Sequence, residues 1–292
     1  MNMFFFLKYM FYFLLFLKRA GIKLPKPLLF MLIHLAGLTF NFGWELVKNL
    51  NLDVIFEKAC LCGNLYLVKK AIEKGVNEFN EGLSFACKGG HVEIVNLMIE
   101  KGAFYFDGGL YDACNHGQLE IAKLMIEKGS KNFGWGLINA CGKGYLEIAK
   151  LMIEKGAKNL NEGFYHACEG GHVEIINFLI SKGVDDLDEG FYYICKGGQY
   201  EIVDLMIEKG AKNFNYGLAG ACRGGQYEIA NLMIEKGADN FDEGLYYACR
   251  YGRLEIVKLM IEQGATNFDE GFSEAIKFKK AEIIEFFNNL VI

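Results

Sequence analysis

The chain has 292 residues, of which 52% are hydrophobic, and a formal net charge of −5. That apolar content suffices for a substantial core and excludes a disordered chain, while the negative balance excludes a general nucleic-acid binder, which needs a basic face. Nine cysteines, an odd number with only Cys60 and Cys62 close together, fit neither a disulfide framework nor the paired spacing of zinc sites, so a reducing intracellular compartment is expected.

In chain order, residues 1–50 come first and stand apart from the rest. From Met3 to Leu17 every residue is apolar or aromatic except Lys8, and Lys18 and Arg19 follow. A helix over that run spans ~22 Å, short of the ~30 Å of a bilayer core. Gly21 onward offers no small-residue cleavage site for a signal peptide. A second run, Leu28 to Phe40, is uncharged but carries His34. Leu32-Ile33-His34-Leu35-Ala36-Gly37, followed by Asn41-Phe42-Gly43-Trp44, echoes Leu124 to Gly129 followed by Asn132-Phe133-Gly134-Trp135. Residues 28–50 therefore read as a degenerate, apolar helical cap. A membrane segment within residues 1–44 remains open, as does a start placed too early in the gene. Leu24-Pro25 with Leu28, Leu29, Ile33 and Leu35 also weakly resembles the start of an F-box.

From residue 51 a strict period takes over. Cys60, Cys87, Cys114, Cys141, Cys168, Cys195, Cys222 and Cys249 stand 27 residues apart, and one more step lands on Ile276. Equal spacing of a rare residue means one supersecondary unit copied and stacked. Within a unit, Leu245, Ala248 and Cys249 fall at i, i+3 and i+4, the stripe of a short helix. The cysteines read as small buried apolar residues. Asp242 is placed to cap that helix, as are Asn80, Asp107, Asn161, Asp188, Asn215 and Asp269, with Gly134 the exception. Gly252 and its equivalents suit a left-handed helix end. A second helix follows, with Leu254, Ile256, Val257, Leu259, Met260 and Ile261 on its apolar face, Glu255 in its first turn and Gly264 at its close. A short link carries one apolar residue (Phe79, Phe106, Phe133, Leu160, Leu187, Phe214, Phe241, Phe268) expected between successive helix pairs. The ninth copy, 272–292, has Lys277, Lys279, Lys280, Glu282 and Glu285 and reads as a polar terminal cap.

Gly89 to Ala103 resembles the second half of an ankyrin repeat almost position for position, and Leu245-Tyr246-Tyr247-Ala248-Cys249 resembles the family's first helix. Two departures stand out: Glu-Gly replaces the family's Thr-Pro, and the unit is shorter than the usual one by the stretch where the family builds its β-hairpin finger. The resemblance implies an all-α solenoid of about nine stacked helix-turn-helix ankyrin-type repeats lacking the finger, over 51–292, behind the apolar segment 1–50. Shortened copies in a chain rich in Phe, Tyr, Ile, Lys and Asn resemble the ankyrin sets of giant DNA viruses of protists. The function implied is a non-catalytic protein–protein interaction scaffold, a monomer of the cytoplasm with a protein partner and no nucleic acid. The alternative is a membrane-tethered adaptor anchored through the first 44 residues.

No catalytic, cofactor or metal site is expected. The Gly-Gly pairs sit at helix ends with no Gly-Lys-Ser/Thr after them. His91 and His172 share one repeat column at the start of the second helix, and His116 and His166 lie almost two copies apart, too far to share a metal. The candidate partner surface is the set of first-helix positions that vary between copies. It comprises Tyr111, His116, Tyr165, His166, Tyr192, Tyr193, Lys196, Arg223, Tyr246, Tyr247, Arg250 and Tyr251, with Trp135 and Tyr216 beside them. Tyr, Trp and Arg dominate contact energies at interfaces, and these are expected to lie exposed.

Overall fold

A computed structural model describes residues 51–290, which form 18 α-helices and, among those residues, no strand. The apolar run, the echo and the F-box-like stretch of residues 1–50 lie outside the described residues. The helices are α1 (Leu52–Cys62), α2 (Leu65–Glu73), α3 (Phe79–Gly89), α4 (Val92–Glu100), α5 (Phe106–Asn115), α6 (Leu119–Glu127), α7 (Phe133–Lys143), α8 (Leu146–Glu154) and α9 (Leu160–Gly170). They continue as α10 (Val173–Ser181), α11 (Leu187–Gly197), α12 (Tyr200–Lys209), α13 (Phe214–Gly224), α14 (Tyr227–Glu235), α15 (Phe241–Tyr251), α16 (Leu254–Glu262), α17 (Phe268–Lys277) and α18 (Ala281–Asn289). Two compact units divide the chain at Gly136/Leu137, inside α7.

Both units are built alike. In the first, α1 packs on α3 and α3 on α5, while α2, α4 and α6 form a second row. In the second, α9, α11, α13, α15 and α17 stack in one row, with α10, α12, α14, α16 and α18 against them. The core sits between the rows. All eight column cysteines are fully buried, as are Leu83, Ala86, Ile94 and Met98, and of the equivalents of those four only Phe272, in the last copy, is half-buried among the described residues. Burial pushes the thiols up, to about 12 at Cys87, Cys114, Cys141 and Cys249, so they stay protonated and inert at neutral pH. Off the column, Cys62 is only half-buried.

The Glu-Gly that replaces Thr-Pro has a packing cause. Its glycine lies inside the first helix, pressed between the preceding copy and its own second helix. A Cβ on Gly244 would stand 3.1 Å from the Cys222 sulfur and 2.5 Å from the Met260 sulfur. On Gly190 it would meet the Phe164 ring at 2.2 Å. Glycine and cysteine are thus the two small faces of one contact between layers. At the helix end, Gly252 takes the expected left-handed conformation (φ 79°) and returns its N–H to Ala248 and Cys249.

The aspartate column does something other than capping. The first helices begin at the apolar link residue, so Phe241 opens α15 and Asp242 is already inside it, with Asn240 at the N-cap. Asp242 Oδ1 instead accepts from the backbone N–H groups of Thr266 and Asn267, at 2.6 and 2.9 Å, in the next link. Asp188 holds Lys212 and Asn213 the same way, Asn215 holds Asp239 and Asn240, and Asn80 holds Phe104 and Tyr105. Asp107 takes the Lys131 N–H and the buried Ser130 hydroxyl. The column is a clamp between copies, and its partner lies 24 residues away, beyond the reach of any local capping rule.

A second tie runs back along the array. His91 Nε2 bonds the Leu61 carbonyl at 3.1 Å and His172 Nε2 that of Gly142 at 3.2 Å. Gln118, Gln226 and Arg253, in the same column, reach the carbonyls of Lys88, Lys196 and Arg223. These carbonyls end first helices and have no partner within the helix, so the column satisfies them from the neighbouring copy.

Candidate functional site

In the first unit the three expected residues, Tyr111, His116 and Trp135, are open. Tyr111 is 44% exposed on α5, and Trp135 is 57% exposed in the first turn of α7. His116, at the end of α5, is exposed and bonds the Asp112 carbonyl through Nδ1. Asp112, at a neighbouring varying position, is buried by contrast, accepting from Ser84 and lying 3.6 Å from Lys88 Nζ. Two more residues join this surface that pattern reasoning passed over. Phe104 and Tyr105 are 73% and 60% exposed, in a link whose equivalents are polar in the following copies, from Lys131-Asn132 to Thr266-Asn267. That break in a polar column was the signal for them.

The second unit presents a different surface, in which most of the expected residues bind one another. Tyr165 stacks on Tyr193 at 5.6 Å and donates its hydroxyl to Asp186 at 2.8 Å. Tyr193 meets Tyr192 edge-on at 5.3 Å, and Tyr192 stacks on Tyr216 at 4.7 Å. Tyr216 donates to Glu189 Oε2 at 2.6 Å. Lys196 pairs with Glu169 and lies 5.3 Å over the Tyr193 ring. Arg223 donates to the Tyr192 hydroxyl and lies 4.9 Å over Tyr251. Arg250 donates to Tyr246, stands 4.6 Å over Phe278, and lies 3.5 Å from Glu274. Tyr246 meets Tyr247 edge-on at 5.3 Å. Only His166 stands clear as an exposed side chain.

This corrects one expectation outright. Tyr192 is 4% exposed and is a packing residue. The cause lies one layer on: α13 carries Ala219 at the matching position and Gly220 beside it, and a Cβ on Gly220 would fall 2.4 Å from the Tyr192 carbonyl. With only a methyl at one position and no side chain at the other, the layers close and Tyr216 covers the ring. The remaining tyrosines are half-buried. Burial first raises the phenols of Tyr165, Tyr193, Tyr216 and Tyr247, with neighbouring carboxylates adding to it and, at Tyr247, Tyr192 as well. The hydrogen bonds to Tyr192 and Tyr246 raise Arg223 and Arg250 in turn.

Among the described residues no group of His, Cys, Asp or Glu is placed to hold a metal ion, and no helix is long and apolar enough to cross a membrane.

Comparison with known proteins decides the family. The family described as "Ankyrin repeats (3 copies)" matches residues 56–134, 110–189 and 137–216, and that described as "Ankyrin repeat" matches 244–269. The chain belongs to the ankyrin repeat family. No curated protein matches it. Among solved structures, the human ASB11 ankyrin repeat domain is similar at 22% identity and a TM-score of 0.46, covering 61% of this chain and 96% of that one. Within this ankyrin array the cysteine, glycine, aspartate and histidine columns are occupied by contacts between copies. The variable first-helix positions are where the copies differ chemically.

Proposed function

We propose that this ankyrin chain is a non-catalytic protein-interaction scaffold, and that its partners meet the variable first-helix face. Membership of a family of binding repeats supports the reading, but the observation that carries it is the aromatic exposure in the first unit. Phe104, Tyr105 and Trp135 are large, rigid and exposed where the other copies are mostly polar, and Tyr111 is exposed where its counterparts Tyr165, Tyr192 and Tyr246 are at least half-buried. Residues of this type contribute most of the binding energy at protein interfaces. We further read the 27-residue unit as a shortened ankyrin repeat, in which first helices and links supply the contact surface.

The test uses a partner captured by the full-length protein from its native cell. Tyr111→Ala with Trp135→Ala should leave the melting temperature unchanged and weaken that partner's affinity at least ~10-fold, or ~1.4 kcal/mol. Unchanged affinity would remove this face from the proposal.

A further inference from the structure

The tyrosines of the second unit are unequal in one informative way. Copies 54 residues apart in the second unit carry the same acid–tyrosine cleft, once filled and once open. The filled cleft has Asp188 and Glu189 on one wall and Tyr192 and Tyr193 beside them. Its filling is Tyr216, which stacks on Tyr192 at 4.7 Å and donates to Glu189 at 2.6 Å. In the open cleft, 54 positions further on, Asp242, Glu243, Tyr246 and Tyr247 repeat that wall, but Glu270 stands where Tyr216 would be. These five residues line one open depression. Tyr246 is half-buried, whereas Tyr192 under its lid is 4% exposed.

From this pair we infer that the open cleft receives an arginine side chain of a protein partner. Tyr216 shows what the wall accepts: a flat group against the tyrosine ring, with a donor at its end for the glutamate. A guanidinium is flat, stacks on aromatic rings, and carries several donors. It also brings the charge that Glu270 calls for. None of Asp242, Glu243 and Glu270 is ion-paired among the described residues. Asp242 is used by the Thr266 and Asn267 N–H groups, but each glutamate has only Oε2 engaged, by Asn240 and Asn267 respectively. Their Oε1 atoms remain for a donor. Of the cations beside it, Arg250 is committed to Tyr246, Phe278 and Glu274, and Arg223, which acts on Tyr247, to Tyr192 and Tyr251. A lysine lacks the plane to stack, and an aromatic side chain would leave the added carboxylate unneutralised.

The inference rests on the scaffold reading, but its test needs no partner, so the two can fail separately. The full-length protein, isotope-labelled, is titrated with N-acetyl-arginine amide and, in parallel, N-acetyl-lysine amide, at low salt. Saturable NMR shifts at Glu243, Tyr246, Tyr247 and Glu270 are expected with arginine, at least ~3-fold tighter than with lysine. Glu270→Tyr, which recreates the filled cleft, should abolish them. Glu243→Gln, which keeps shape and removes charge, should weaken them by ~5-fold and covers the case in which the tyrosine variant fails to melt cooperatively. No saturable shift with arginine, an equal response to lysine, or arginine shifts unaltered by Glu243→Gln would each overturn the inference.

Discussion

Gly190 shows how far a single atom decides this fold. On an open helix face, replacing glycine by alanine stabilises by up to ~1 kcal/mol, because alanine loses less backbone freedom on folding. At Gly190 the new Cβ would lie 2.2 Å from the ring of Phe164, itself fully buried, so the ring or the whole layer must shift. Overpacking of that kind costs ~1–3 kcal/mol and outweighs the propensity gain. Gly190→Ala should therefore lower stability in chemical denaturation, whereas Gly183→Ala tests backbone conformation alone, since nothing lies within 4 Å of its added Cβ. Stability raised by Gly190→Ala would show that the layers are not in close contact. The sequence made the glycine column visible as a departure from Thr-Pro, but not its reason, since the atoms that forbid a Cβ belong to other copies.

At the scale of the element, the link between copies is held by the aspartate and asparagine clamps, and these differ in one testable respect. Hydrogen bonds from Asn267 and Thr266 hold the Asp242 carboxyl below its ordinary value of 3.8, and the Ser130 hydroxyl does the same for Asp107. A carboxyl depressed by folding contributes stability above its unfolded value and loses it as pH falls through the lowered folded value. Asn215 makes the same two bonds with an amide oxygen, which does not titrate. As pH drops below 3.8, hydrogen-exchange protection at Thr266 and Asn267 should fall, after correction for intrinsic rates, while Asp239 and Asn240 keep theirs. Asp242→Asn should remove the difference. Loss of protection at both links together would mean that acid acts elsewhere. Periodicity made the helices themselves legible, including the left-handed glycine ends. It placed the clamp residues one function away from their real one, because a cap is a local rule and the clamp joins residues in different copies.

For the whole molecule, the repeated columns are spent on joining copies, and the remaining freedom lies on the first-helix positions. The sequence located those positions by their variation. It could not separate residues that face solvent from residues that face one another, because Tyr192 and Tyr111 occupy equivalent sites and differ only in what the next layer offers. Gly220 and Tyr216 close over the one; the other remains 44% exposed. The central claim is that partners meet first helices and links rather than the second-helix row. Hydrogen exchange of the full-length chain with and without its captured partner tests this most directly. The account predicts slowed exchange in α5 and α7 and in the Phe104–Tyr105 link, with α4 and α6 unchanged. Protection confined to the second helices would contradict it.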